Sequence, residues 1–291
     1  MKNKICLITG ANSGIGFELA KGMAQRNYET IMLCRNIKSG ESVRNNIITS
    51  TQNTAVHLMI ADLSSQSSIR EFVTQFNAHY QHLDVLFNNA GANFFNRQLT
   101  EDGIEKTFAV NYLAPFLLTN LLLPKLKQSP SARIITTVGG YDKKTTINFN
   151  DINFERNFNV IKVSGQAILA KLLFTDELSR ILSESNITAN CFHPGAVKTN
   201  LQKKMPFMWR VFAGVMRPFF ASAEKGAKTG LYLATSNDIE KSNGKFFKKF
   251  KETALPLPEY SSELAKTLWK FSENLTQIKQ HEILQKNNTI I

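Results

Sequence analysis

Cysteine is scarce in this chain: Cys6, Cys34 and Cys191 are its only three among 291 residues. They have no zinc-site or dithiol spacing, and each falls inside a short apolar run. Disulfides, metal ligation and thiol redox chemistry are therefore excluded as organising features, and a reduced, cytoplasmic setting is expected. Long apolar runs are missing too. The stretch FAVNYLAPFLLTNLLL is interrupted by Asn111, Pro115 and Asn120, so it reads as a buried helix rather than a membrane span. The opening MKNKICLITG has lysines before an apolar run, but that run is short and enters a glycine loop. It reads as a first strand rather than a signal sequence. Acidic residues are outnumbered, 23 against 35 Lys and Arg, for a net charge of +12. Such a balance favours anionic partners: a phosphorylated cofactor, an acidic membrane surface or nucleic acid. The basic residues are dispersed with no nucleic-acid-binding module around them, so nucleic acid is not expected as a partner.

What is present is an ordinary globular composition, 43% hydrophobic and 20% charged, at a length that suits one α/β domain. Ile5–Thr9 is apolar, GANSGIG follows from Gly10 to Gly16, and residues 17–26 have helical periodicity. Strand, glycine turn and helix in that order form the setting of a dinucleotide site. The glycines let backbone approach a pyrophosphate, and the helix N-terminus supplies N–H donors. Residues 30–34 form a second strand that ends at Arg35. A carboxylate there would take an unphosphorylated ribose, whereas Arg pairs with a 2′-phosphate, so NADP(H) is favoured over NAD(H). Val56–Ile60 is a third strand, followed by ADLSS, in which Asp62 or Ser64 reads as the cap of a helix starting near Gln66. Residues 83–87 form a fourth strand before Asn88-Asn89-Ala90-Gly91. A long helix over 103–126 carries Asn111, and a strand over 133–138 precedes a helix over 161–182. A sixth strand, 188–192, leads into HPGAVKT. Strands and helices alternate throughout, which predicts a parallel sheet with helices on both faces.

Thr9-Gly10-x-x-x-Gly14-x-Gly16, the NNAG segment and Pro194-Gly195…Thr199 together resemble the short-chain dehydrogenase/reductase family. LLFTDEL, HPGAVKTNL, EKGAKTGLYLA and LAKTLWKFSENLT resemble its retinol dehydrogenase-like subgroup, and the likeness runs over about residues 3–278. The resemblance implies a Rossmann-type doubly wound parallel sheet in a single domain over 1–279, with an uncommitted tail at 280–291. It implies cofactor contacts from Gly10, Asn12, Ser13, Gly14, Ile15 and Gly16, and from Arg35, Asp62 and Leu63. Asn89, Ala90 and Gly91 would line the ribose, and Pro194, Gly195, Val197 and Thr199 the nicotinamide. Asn111 matches the family's fourth catalytic member, which helps to hold a relay water.

The same resemblance exposes a deficit. The family carries a Ser at the end of the fifth strand and a Tyr-x-x-x-Lys on the following helix. Counting back from LLFTDEL puts the Tyr position at Ser164 and the Lys position at Ile168; RIITTVG puts the Ser position at Gly139. The interval from Gly139 to Ser164 is the subgroup's own, so the two anchors agree without a gap. The family's Tyr protonates the carbonyl oxygen as hydride arrives, and its Lys lowers the Tyr pKa and holds the ribose. Losing general acid catalysis costs roughly 10²–10⁴ in rate. Without the Lys, weaker cofactor binding is expected. Lys171 shares a helix face with Ser164 and Ile168, and Tyr141 lies two residues past Gly139, so these two are the candidate substitutes.

Residues 199–225 match the family's substrate lid, rich in Met, Phe and Trp with interspersed Lys and Arg. The leading reading is the wall of an apolar pocket, hence an apolar small-molecule ligand. The alternatives are peripheral membrane contact or an interface with a partner or a second copy. GKFFKKFKE, residues 244–252, reads as a solvated edge strand. By resemblance, a homodimer or homotetramer would pair through the Asn111 helix and the helix over 161–182. The function expected is an NADP(H)-binding enzyme with atypical chemistry, either hydride transfer without the Tyr acid or a non-redox step. A catalytically inactive pseudoenzyme that binds nucleotide or ligand and regulates a partner is the alternative, and an NADPH-dependent carbonyl reductase with displaced residues comes third.

Overall fold

Alternate residues of each central strand enter opposite cores, as the pleat requires. In β1 (Ile5–Thr9), Ile5 and Leu7 join one core and Cys6 and Ile8 the other. β2 (Glu29–Cys34) divides likewise, Ile31 and Leu33 against Met32 and Cys34. A strand apolar on both faces must be covered on both, so helices flank the sheet. The computed structural model describes residues 4–142, 144–197, 221–258 and 261–278. The remaining strands are β3 (Val56–Ile60), β4 (Val85–Asn88), β5 (Ala132–Thr137), β6 (Ile187–His193), β7 (Lys245–Lys248) and β8 (Lys251–Ala254). Their order is β3-β2-β1-β4-β5-β6-β7-β8, parallel through β7, with β8 antiparallel at the edge. The order reverses between β1 and β4, and the crevice beyond the carboxyl ends of those strands is where such sheets bind ligands.

α1 (Gly14–Ala24), α2 (Ile37–Thr51) and α7 (Ala223–Thr235) border the core that holds Leu19, Met23, Ile47 and Leu233. α3 (Gln66–His79), α5 (Ala114–Lys127), α6 (Val160–Ile181) and α8 (Ser261–Thr276) border the other. Side-chain caps start four of these helices. Asn36, Ser65, Asn159 and Ser222 accept bonds from first-turn N–H groups of α2, α3, α6 and α7. Ser65 is thus the cap of α3, in place of the expected Asp62 or Ser64. Asp62 accepts instead from the N–H and hydroxyl of Ser64, at 2.9 and 2.7 Å.

Two elements differ from expectation. The helix expected over 103–126 begins with a short α4 (Lys106–Phe108), widens into a π-turn over Ala109–Leu113 and continues as α5. The π-turn falls on Asn111, in keeping with the association of such bulges with functional sites. The stretch 244–252 is a hairpin rather than one strand. Lys249 and Phe250 turn it with φ of 51° and 65°, the mirror-image geometry tight hairpins prefer. Phe247 is buried, while Phe250 packs edge-on against Tyr232.

α8 covers the α5–α6 face. Trp269 stacks on Phe174, ring centroids 5.7 Å apart, and meets Phe116 edge-on at 5.0 Å, while the Tyr112 hydroxyl bonds Ser272. Trp269 of α8 thus packs against both α5 and α6. The segment Lys106–Lys127 is long and apolar enough to cross a membrane, but 83% of its apolar window is buried in the fold.

Candidate nucleotide and substrate site

The glycine loop is shaped by contacts that no side chain could survive. Gly10 takes φ +67°, and a Cβ on Gly16 would stand 2.2 Å from the Gly10 carbonyl oxygen and 2.7 Å from Asn89 Nδ2. Gly14, at φ +55°, would aim a Cβ into open space, so its backbone is accessible. Ser13 precedes α1 in an extended conformation without capping it by its side chain. The first-turn N–H groups around Gly14, Ile15 and Gly16 thus meet the requirement of a pyrophosphate cradle. Asn12 donates to Ser39 at 3.0 Å, tying the loop to α2.

Thr9 organises the next layer, although sequence reasoning assigned it no role beyond opening the motif. Its hydroxyl donates to the Phe87 carbonyl and accepts from the N–H groups of Asn89 and Ala90, both at 2.9 Å. Asn89 donates to the Thr9 carbonyl and accepts from the Thr137 hydroxyl at 3.2 Å, so one side chain links β1, β4 and β5. Arg35 is exposed at the end of β2. Burial pulls the Asp62 carboxyl upward, but its Ser64 bonds and the Arg35 charge outweigh this and hold it below the usual range. Leu63 packs against the core as a partly buried anchor. At the other rim, Gly195 takes φ +84° and donates its N–H to His193 Nδ1. A Cβ on Gly226 of α7 would fall 2.8 Å from Val197, 3.4 Å from the Pro194 carbonyl and 3.5 Å from Ile15. The close approach of α7 therefore joins the glycine loop to the Pro194–Val197 segment. Thr199 and most of the expected lid, 199–220, lie outside the described residues, as does the tail.

Gly139, Ser164 and Ile168 do converge. Ile168 Cδ1 would lie 3.1 Å from a Cβ on Gly139, so an isoleucine methyl occupies the side-chain space beside that position. Ser164 Oγ donates to Asn93 Oδ1 at 3.0 Å. Ser164, Ile168, Asn93 and Gly140 line a cavity of about 1080 Å³, which extends past Phe95, Ile147 and Phe154 to Lys144, Arg156 and Lys162.

The remaining candidates are each engaged by hydrogen bonds to backbone. Asn111 clasps Ala92: its carbonyl accepts from the Ala92 N–H and its amide donates to the Ala92 carbonyl, each at 2.8 Å. Gly91 abuts the same side chain, 3.5 Å from Asn111 Oδ1 to a Cβ. The Tyr141 hydroxyl, which also borders the cavity, donates to the Pro256 carbonyl. Lys171 is in the core, only 6% exposed, and donates to the Thr137 carbonyl at 3.2 Å. Burial draws its pKa down to about 8, against the smaller opposing effect of neighbouring Cys191. His193, to which sequence reasoning gave no role, stands closer: its Nε2 would be 3.8 Å from a Cβ on Gly140. Burial and the Lys248 charge lower its pKa, favouring the neutral ring. With Nδ1 accepting from Gly195, the neutral ring carries its proton on Nε2. Position at the end of β6, ahead of Pro194, was the available signal for it.

Comparison with known proteins agrees with this architecture. A family model described as short chain dehydrogenase matches residues 4–150. Retinol dehydrogenase 12 of Mus musculus is 36% identical over 279 residues, covering 95% of this chain and 87% of that protein. Retinol dehydrogenase 13 of Homo sapiens is 36% identical over 290 residues, 97% and 87% of the two chains. A solved structure of an uncharacterised protein from Mycobacterium paratuberculosis superposes with a TM-score of 0.76 at 30% identity, covering 95% of this chain and 94% of that one.

Proposed function

The chain belongs to the short-chain dehydrogenase family, a lineage of NAD(P)-dependent oxidoreductases, and from that premise we propose that it binds NADP(H) and acts on a small molecule without the family's Tyr acid. A bound nicotinamide supplies or accepts hydride. The chain's own contribution is to hold the pyrophosphate on the α1 N-terminus, to present Arg35 to a 2′-phosphate and to seat a substrate in the cavity beside Ser164. One observation carries the reading: Ile168 packs against Gly139 and lines the cavity with Ser164, so a methyl group stands where charge would be needed. An aliphatic hydroxyl bonded to an amide oxygen is a poor acid, and Ile168 offers a developing alkoxide no positive charge.

Tyr141 and Lys171 are engaged by Pro256 and Thr137 and do not readily replace the missing pair. The fitting chemistry is hydride transfer to an activated acceptor, or a non-redox step. The same wall also suits a ligand-binding pseudoenzyme. Calorimetry with NADPH and NADH, followed by assays of aldehyde and ketone reduction, separates the readings. NADPH binding in preference to NADH, with background reduction, supports the proposal. Brisk reduction of simple ketones overturns the missing-acid argument, and absence of nucleotide binding favours the pseudoenzyme. The apolar ligand expected from sequence rested on the lid; the described part of the cavity is mixed, with a charged mouth.

A further inference from the structure

The cavity beside Ser164 carries an uneven set of charges. Among the described residues its charged lining is Asp142, Lys144, Arg156 and Lys162, three cations to one carboxylate. All four are exposed, so their charges meet solvent and anything that enters. Asp142 is engaged locally, accepting from the Lys144 N–H at 2.9 Å. The other nearby acids are also committed. Asp151 accepts the backbone N–H groups of Glu155 and Arg156, at 2.7 and 3.1 Å, and Glu155 pairs with Arg97 at 3.7 Å. Arg156 adds to the field that lowers the Asp151 carboxyl, an effect led by those backbone bonds. Among the described residues, no salt bridge reaches Lys144, Arg156 or Lys162.

A second observation points the same way from inside the cavity wall. Gln166 is 1% exposed and its Oε1 accepts from the Asn148 N–H at 2.8 Å, yet its Nε2 is a buried donor with no hydrogen-bond partner. Leaving a buried donor unpaired is costly, and an acceptor oxygen would relieve it. Cations gathered at the mouth of a low-dielectric cleft focus the field and concentrate anions. Neither feature suits a hydrocarbon chain.

We propose that this cavity selects a substrate bearing an anionic group, a carboxylate or a phosphate, held by Lys144, Arg156 and Lys162 while its reactive end lies against Ser164 and Ile168. The proposal rests on reading the cavity as the substrate site, and it departs from the neutral alcohol named in the retinol dehydrogenase relatives. The recognition is electrostatic, with no bond made or broken.

The test uses the full chain with and without saturating NADPH. Binding of para-formylbenzoate, its methyl ester and para-formylphenyl phosphate is followed by calorimetry and ligand-observed NMR, with NADPH affinity measured separately. Three exposed charge contacts of modest individual worth predict that either anion binds about tenfold tighter than the ester at low salt. The preference should shrink several-fold at about 0.5 M salt, where screening acts over a few ångströms. Whichever anion binds tighter identifies the group. The combined variant Lys144→Ala, Arg156→Ala, Lys162→Ala should lose the preference and keep its NADPH affinity. An ester bound as well as the anions, a preference that survives in the triple variant, or no anion binding at millimolar concentration overturns the proposal. Anion preference without NADPH binding leaves this inference standing and removes the cofactor reading. NADPH binding without anion preference does the reverse.

Discussion

The glycine loop and the wall at Gly139 lie at the same end of the sheet, yet they have kept different things. At the loop, function resides in backbone: Gly10 and Gly14 at positive φ, Gly16 against the Gly10 carbonyl, Thr9 and Asn89 lacing three strands together. The loop has the glycine conformations and the helix start that a pyrophosphate cradle requires. At the wall, function in relatives resides in side-chain chemistry. The positions still converge, but glycine, serine and isoleucine stand in them. A nucleotide cradle is a matter of backbone geometry, whereas proton chemistry at a wall depends on a few polar atoms.

The largest expected effect tests that contrast directly. Wild-type protein should reduce ordinary aldehydes and ketones at background rate with NADPH. The triple change Gly139→Ser, Ser164→Tyr, Ile168→Lys should raise the rate toward the roughly 10²–10⁴ that general acid catalysis supplies. Replacing Ile168 also removes the methyl that would crowd a Cβ at position 139. Steady-state NADPH oxidation reads the change. Rapid wild-type turnover of a simple ketone would break the comparison at its catalytic end.

The cradle is expected to be intolerant in the opposite way. Gly16→Ala places a methyl 2.2 Å from a backbone oxygen, which only main-chain movement can relieve. A loss of about 3 kcal/mol in urea unfolding and abolished nucleotide binding are expected. Gly14→Ala meets nothing within 4 Å and should cost about 1–2 kcal/mol, for positive φ alone. Equal effects at the two positions would show that the cradle is not held by that contact.

Lys171 lies between these regions, on the face that carries Ser164 and Ile168. Burial lowers its pKa from 10.5 to about 8, so below about pH 8 the folded chain bears a buried charge. Between about pH 8 and 10.5 the unfolded state binds the additional proton, and stability attributable to Lys171 rises with pH. At about 1.4 kcal/mol per pH unit, the gain over that window is on the order of 3 kcal/mol. Lys171→Met should be the more stable form at pH 7 and should lack this rise. Parallel pH profiles for the two proteins would show that Lys171 is not desolvated.

The smallest expected effect concerns which dinucleotide the loop prefers. Arg35→Asp should weaken NADPH relative to NADH by about 1.5–3 kcal/mol, the worth of a charge-assisted hydrogen bond. Calorimetry with both nucleotides measures it. An unchanged ratio removes the case for NADP(H) and leaves the cradle intact.

Much of the architecture was legible because it is written locally. The short apolar runs Ile5–Thr9 and Val56–Ile60 set strands, Gly10–Gly16 sets the turn, and the spacing from Gly139 to Ser164 relates the end of β5 to α6. Less legible were features that depend on partners far along the chain. Tyr141 looked free to serve as an acid until the Pro256 carbonyl claimed it, 115 residues on. Nothing local to Asn111 indicated that its amide would span the Ala92 backbone, 19 residues earlier. Lys171 resembled a surface lysine or a substitute cation, yet packing places it under the Thr137 carbonyl. The hairpin at Lys249 and Phe250 was missed because neither residue advertises positive φ.

By itself the sequence determined the class of sheet and the glycine loop, since periodicity and glycine placement act within short stretches of chain. Only tertiary structure decided that α8 lays Trp269 over Phe116 and Phe174, that Ser164 bonds Asn93, and that Lys144, Arg156 and Lys162 border one cavity. Those outcomes join residues that are remote in sequence or lie on different elements. Burial of apolar area across the whole core drives such packing, and no local pattern specifies which polar groups it will bring within reach of one another.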